Sequence, residues 1–245
     1  MTIKWHDHQA NFDHAQELVE SIEATDLILL PEMWASGFTM KVHQNHQCTE
    51  QGLTLMQDFA RHHAALVGGT LISKVGEKYY NRFFIVSDSG VVATYDKKHL
   101  FAFAGEDRFF TSGQERITVD YKGWKLSLNT CYDLRFPVWS RNDNDYDILL
   151  YPANWPNKRI NAWKTLLEAR AIENQCYVLG TNCHGEDAWH NTYDGYSQAI
   201  SPNGEILDSI KGQAGVVTVT LDKTLLDKYR TQFPFLKDRD KFTLS

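Results

Sequence analysis

The sequence predicts an α/β fold with internal two-fold pseudosymmetry: two similar β-sheets packed face to face, with helices outside. Three observations carry this. Short apolar runs alternate with segments of helical period along the chain, the pattern of α/β proteins. Asp26-Leu-Ile-Leu-Leu-Pro31-Glu-Met-Trp34 and Asp147-Ile-Leu-Leu-Tyr-Pro152-Ala-Asn-Trp155 share the spacing D-x4-P-x2-W. Each copy is followed by a helix, a strand and a hairpin whose turn opens with Ser and closes with Gly, over similar distances (Pro31 to Gly90, Pro152 to Gly204). An ordered series of this kind marks an internal duplication.

Asn11–Ala24 reads as a helix, with Asn11 as N-cap and Phe12, Ala15, Leu18, Val19 and Ile22 on one face. Leu27–Leu30 is a buried strand ended by Pro31. A second helix covers Leu53–His63, and Ala65–Ile72 is a strand. Phe83–Val86 and Val91–Tyr95 form a hairpin, followed by a loop rich in Phe and Gly over Lys97–Gln114. Ile117–Tyr121 and Trp124–Asn129 form another hairpin, turning at Lys122-Gly123. Tyr146–Tyr151 is a strand, Ile160–Asn174 a helix and Tyr177–Thr181 a strand. Tyr196–Ile200 and Glu205–Ile210 form a hairpin, Ala214–Leu221 a last strand, and Leu225, Leu226 and Tyr229 a short closing helix. No low-complexity linker interrupts 1–245, which reads as a single domain. The symmetry leaves one gap. The strand before the Asp147 copy has no full counterpart before the Asp26 copy, where only a stub at Ile3–Trp5 is available; the first strand is expected to be short or missing.

The chain has 245 residues, 25 Lys plus Arg against 31 Asp plus Glu, and a formal charge of −6. An acidic chain without a basic block is a poor binder of nucleic acid or anionic membrane. The longest aliphatic run is far short of the ~20 residues a membrane helix needs. Cys48, Cys131, Cys176 and Cys183 form neither a disulfide framework nor a C-x-x-C pair. A cytoplasmic location is expected. The ten histidines include no H-E-x-x-H, and no Cys/His set has zinc spacing. The glycine-rich nucleotide loops and G-x-S-x-G are also absent.

Three residues stand out by setting. Glu32 follows a strand and Pro31, at the strand end where α/β proteins place ligands. Lys97 and Lys98 lie just past another strand. Cys131 sits where a strand gives way to Tyr-Asp-Leu-Arg, a boundary from which a thiolate can reach a cleft. Read singly, each has an ordinary alternative: a solvated acid, a solvated lysine pair, a small core residue. A papain-like Cys–His pairing would leave the Glu and Lys settings unexplained.

Together, Pro31-Glu32-Met-Trp-Ala-Ser-Gly-Phe38, Tyr95-Asp-Lys97-Lys-His99-Leu, Cys131-Tyr-Asp-Leu-Arg-Phe-Pro137 and Ala169-Arg-Ala-Ile-Glu-Asn-Gln175 resemble the nitrilase superfamily of carbon–nitrogen hydrolases. The Lys and Cys motifs, with Ala153-Asn-Trp-Pro156, most resemble its omega-amidase branch. The resemblance implies a four-layer α-β-β-α sandwich, a Glu32–Lys97–Cys131 triad, a second glutamate at Glu106 that orients the lysine, and an oxyanion donor in the Tyr132 backbone N–H. It implies hydrolysis of the terminal amide of a small dicarboxylic 2-oxo acid monoamide such as 2-oxoglutaramate, without cofactor or metal, in a homodimer. Another amide or N-carbamoyl hydrolase, or a non-catalytic binding protein on this fold, is the alternative. Arg135 is a candidate partner for the substrate carboxylate or, equally, for Asp133. Trp34 and Trp155, matched in the two halves, are candidate pocket walls. Asn154 is a candidate hydrogen-bond donor in the cleft.

Overall fold

The computed structural model describes residues 1–244. Helix α1 (His8–Glu20) precedes strand β1 (Leu27–Leu29). The one-turn helix α2 (Val42–Asn45) leads into α3 (Thr49–His63), followed by β2 (Leu66–Val75), β3 (Lys78–Ser87) and β4 (Gly90–Asp96). The second half runs β5 (Thr118–Tyr121), β6 (Trp124–Leu128), β7 (Ile148–Ala153), α4 (Ile160–Asn174) and β8 (Tyr177–Asn182). It ends with β9 (His184–Glu186), β10 (Thr192–Ile200), β11 (Ile206–Lys211) and α5 (Lys223–Gln232).

The duplication read from the sequence is a duplication of topology. One sheet has the order β1-β2-β3-β4, the other β11-β10-β8-β7-β6-β5. β1 pairs with β2 in parallel, and β3 and β4 follow antiparallel. β7, β8, β10 and β11 repeat that arrangement. The same backbone bond opens each copy: the Leu66 N–H donates to Asp26 O and the Tyr177 N–H to Asp147 O, both at 3.0 Å.

Strands covered on both faces read as continuous apolar runs, which is why these were legible. In β7, Ile148 and Leu150 pack between the sheets with Leu66, Phe83, Ile85 and Tyr95. Leu149 and Tyr151 point the other way, onto Trp163, Leu167 and Ala171 of α4. On the opposite outer face, Phe12, Ala15 and Val19 of α1 and Met56, Phe59 and Ala60 of α3 pack with Ile28, Leu30 and Val67. The result is the expected four-layer α-β-β-α sandwich.

Two local expectations are corrected. Asn11 is not the N-cap of α1. Asp7 is, accepting from the Ala10 N–H at 3.1 Å. Asn11 is fully buried and bridges chain segments, accepting from the Lys4 N–H and donating to the carbonyls of Lys4 and Ala35. A short polar side chain suits both roles, and tertiary contacts decided between them.

The second correction concerns Ala214–Leu221, which belongs to no ladder. In the second sheet, β6 occupies the free side of β7. On the equivalent side of β1, no strand pairs among the described residues. An apolar cavity of about 370 Å³ lies there, lined by Leu27, Leu29 and Ile148 on one side and Val217, Val219 and Leu221 on the other. The apolar alternation of this segment suits a strand, but a ladder needs a neighbour about 4.8 Å away. Residues 1–7 do not supply one. Their ladder contact is the bridge of Thr2 to His184, which ties them to β9 of the other sheet.

Candidate active site

The site is built at strand ends. Glu32 lies three residues past the end of β1, Lys97 directly follows β4, and Cys131 opens a 3-10 turn (Cys131–Arg135) after β6. β1 and β4 are the outer strands of the first sheet and β6 lies in the second, so it is the packing of the two sheets, not strand pairing, that brings residues 32, 97 and 131 to one cavity. The loop after Lys97 returns to the end of β4 at Gly113, where an added Cβ would sit 2.0 Å from the Asp96 carbonyl oxygen. Only glycine allows that approach.

Lys97 is buried with its side chain inaccessible, as are those of Glu32 and Glu106. Its Nζ lies 2.9 Å from Glu32 Oε1, and 2.9 and 3.1 Å from the two Glu106 oxygens. Asn81 of β3, which the sequence did not single out, donates Nδ2 to Glu32 Oε1 at 2.8 Å and to Glu106 Oε1 at 3.0 Å. The Asn154 N–H donates to Glu32 Oε2 at 3.0 Å, and the Phe101 N–H to Glu106 Oε2 at 2.6 Å. Buried charges survive only when paired and hydrogen-bonded, and these are. Glu106 is thus no solvated loop acid. Asn154 holds Glu32 through both its backbone N–H and its side chain, which donates to the Glu32 carbonyl.

Cys131 adopts φ +42°, a left-handed conformation that costs a non-glycine residue energy and recurs at functional positions. It is 9 % exposed, and that opening faces a cavity of about 430 Å³. Glu32, Lys97 and the Asn154 N–H are the polar groups that act on its thiol. Burial and the Glu32 charge push the thiol well above its ordinary pKa, and the opposing Lys97 charge does not cancel them. Cys131 therefore rests as a neutral thiol. For Lys97, burial favours the neutral amine, but the charges of Glu106 and Glu32 outweigh it and the net displacement is upward, so the ammonium is permanent. Burial also raises the Glu106 carboxyl, against the pull of Lys97.

Asp133 ties the Cys and Lys motifs together. It is fully buried and accepts from the Thr130 N–H, the Tyr95 hydroxyl and the His99 N–H at 2.7–2.9 Å. It is not the partner of Arg135. The Tyr132 N–H, in the first turn of the 3-10 helix, donates to no protein acceptor among the described residues and is free for a ligand.

Tyr132, Arg135, Asn154 and Trp155 all line the cavity. Trp34 does not. It is fully buried beneath the first sheet's helices, edge-on to Phe12 with centroids 5.4 Å apart. The duplicated tryptophans have diverged: Trp155 follows β7 into the cleft, whereas the tight Met33 turn (φ +43°) sends Trp34 into the core. Arg159, Phe101 and Tyr193 also line the cavity and carried no motif signal.

The profile of the carbon–nitrogen hydrolase family matches residues 1–231. The chain belongs to the carbon–nitrogen hydrolase family. This hydrolase is 43 % identical over 243 residues to the omega-amidase YafV of Yersinia enterocolitica, covering 99 % of this chain and 95 % of that one. It is 31 % identical over 220 residues to a 2-oxoglutaramate amidase of Bacillus subtilis, covering 87 % of this chain and 84 % of the relative. Among solved structures, a CN-hydrolase superfamily protein from Xanthomonas campestris, with an arsenic adduct in its active site, superposes with a TM-score of 0.96 at 36 % identity, covering 100 % of this chain and 96 % of that one. The protein is accordingly an enzyme that hydrolyses carbon–nitrogen bonds. No helix of the described residues is long and apolar enough to cross a membrane.

Proposed function

We propose that this hydrolase releases ammonia from the terminal amide of a small dicarboxylic 2-oxo acid monoamide, such as 2-oxoglutaramate, through a thioester on Cys131. The observation that carries the reading is the buried Glu32–Lys97–Glu106 cluster sharing with the Cys131 thiol a cavity of small-molecule size. The printed functions of the relatives from Yersinia enterocolitica and Bacillus subtilis support the substrate class.

The chemistry follows from the neighbours. Glu32 takes the thiol proton as sulfur attacks the amide carbon, so thiolate forms only when it is used. The carbonyl oxygen becomes an oxyanion between Lys97 and the Tyr132 N–H; one such donor contributes about 10²–10³ in rate. Glu32 passes its proton to the departing nitrogen, and ammonia leaves. Water then attacks the thioester, giving its proton to Glu32 and releasing the carboxylate product and the Cys131 thiol. Glu106 and Asn81 hold Lys97 and Glu32 in place. Residues 1–245 act as one catalytic domain, in a homodimer, in the cytoplasm. Four free buried cysteines suit a reducing compartment.

Ammonia release from 2-oxoglutaramate, with glutamine, asparagine and a simple nitrile in parallel, tests this. The 2-oxo acid amide is expected to exceed glutamine in kcat/KM by about 100-fold or more. Equal turnover of glutamine, or preference for the nitrile, would contradict the substrate class.

A further inference from the structure

Six of this protein's ten arginines sit against carboxylates: Arg61 on Asp58, Arg82 on Asp96, Arg116 on Asp143, Arg170 on Glu173, Arg230 on Asp147 and Arg239 on Asp145. Arg135 and Arg159 do not. Neither guanidinium has an ion-pair partner or a hydrogen-bond acceptor among the described residues, yet both are half-buried and both line the Cys131 cavity. Each lies against an aromatic ring, Arg135 at 5.0 Å from the Trp155 centroid and Arg159 at 5.1 Å from that of Phe101. Stacking restrains a guanidinium while leaving its in-plane N–H donors free. Trp155 also anchors the backbone here, its Nε1 donating to the Arg159 carbonyl at 2.9 Å.

The other charges of the cavity are already engaged. Lys97 is bound by Glu32 and Glu106. Asp187 accepts from the N–H groups of Trp189 and Asn191, the Asn191 side chain and the Tyr193 hydroxyl, two donors to each oxygen. What the cavity offers a ligand is therefore two positive forks and no free anion.

We infer that Arg159 acts with Arg135 as a specificity-determining pair that holds the carboxylate end of the substrate and rejects an α-ammonium group beside it. The pair would accept a 2-oxo acid and turn away the corresponding amino acid, although the two differ only at C2. The identity of the amide rests on the proposed function; the charge selection rests on the cavity alone.

Protection of Cys131 from iodoacetamide separates the two, because it requires no turnover. The probe is 2-oxoglutarate, with L-glutamate as its α-ammonium counterpart. In the unaltered enzyme, 2-oxoglutarate is expected to protect at concentrations at least about 10-fold below L-glutamate. Arg159→Met should raise the protecting concentration about 10- to 100-fold, the loss expected for charge-assisted hydrogen bonds. Arg159→Lys should fall between, having the charge without the fork. Alkylation without ligand reports whether each variant keeps its fold. In turnover of 2-oxoglutaramate, Arg159→Met should raise KM by the same factor and change kcat far less. Equal protection of Arg159→Met and the unaltered enzyme, or equal protection by L-glutamate and 2-oxoglutarate, would overturn the inference. Protection as expected without ammonia release would instead sink the amidase reading and leave the subsite standing.

Discussion

Cys131→Ala is expected to lower ammonia release from 2-oxoglutaramate by on the order of 10⁴-fold or more while leaving the protein folded. The size of the loss follows from the absence of a second nucleophile. Cys48 and Cys183 lie in the core under the first sheet, and Cys176 is buried beneath α4. Burial pushes Cys48 up to about 11, and raises Cys176 and Cys183 further. Glu32 retains its place, so a trace of direct water attack is the most the variant can show. Folding should survive because Ala removes one partly accessible sulfur. Turnover within tenfold of the unaltered enzyme would refute the assignment of the nucleophile.

Lys97→Met carries the second large effect, on rate and stability together. It removes the cation facing the developing oxyanion, which is expected to cost at least about 10²–10³ in kcat/KM. It also leaves Glu32 and Glu106, whose side chains are inaccessible, without the cation between them. Removing one partner from a buried ion pair costs about 3–5 kcal/mol. The pH dependence has a definite sign. The folded-state pKa of Glu106 is already raised, first by burial and then by Glu32, with Lys97 opposing. Removing Lys97 raises it further. A carboxyl whose folded pKa exceeds its unfolded one contributes stability that is present below the unfolded pKa and lost as pH rises through the folded one. Urea unfolding should therefore show a deficit for Lys97→Met that is largest at pH 8 and shrinks toward pH 5. A deficit that is flat across that range would contradict the charge arrangement.

The candidate trio Glu32, Lys97 and Cys131 stood out in the sequence because each member stands at the end of an apolar strand, where the sequence changes character abruptly. Glu106 was legible only through family resemblance, since nothing in Phe101-Ala-Phe-Ala-Gly-Glu106 marks its acid as buried. Asn81 and Arg159 were not legible. Asn81 lies within β3, and its value comes from which strands flank it. Arg159 looks like any arginine ahead of a helix until the cavity shows that nothing neutralises it. The two-fold pseudosymmetry was legible in the duplicated Asp26 and Asp147 segments, which share a parallel pair and even a backbone bond. The same symmetry misled at Trp34, because a repeated sequence position does not fix which way a side chain turns. At Ala214–Leu221 the expected strand is absent, because pairing depends on a neighbour the segment itself does not encode.

The proposed reaction requires a covalent bond between Cys131 and the acyl part of the substrate. Rapid acid quench of the enzyme with saturating 2-oxoglutaramate, followed by intact mass measurement and peptide mapping, reads that bond. The expected result is an adduct with the mass of the substrate less ammonia, on the peptide carrying Cys131 and absent from Cys131→Ala. An adduct on another side chain, or ammonia release with Cys131 unmodified throughout turnover, would contradict it.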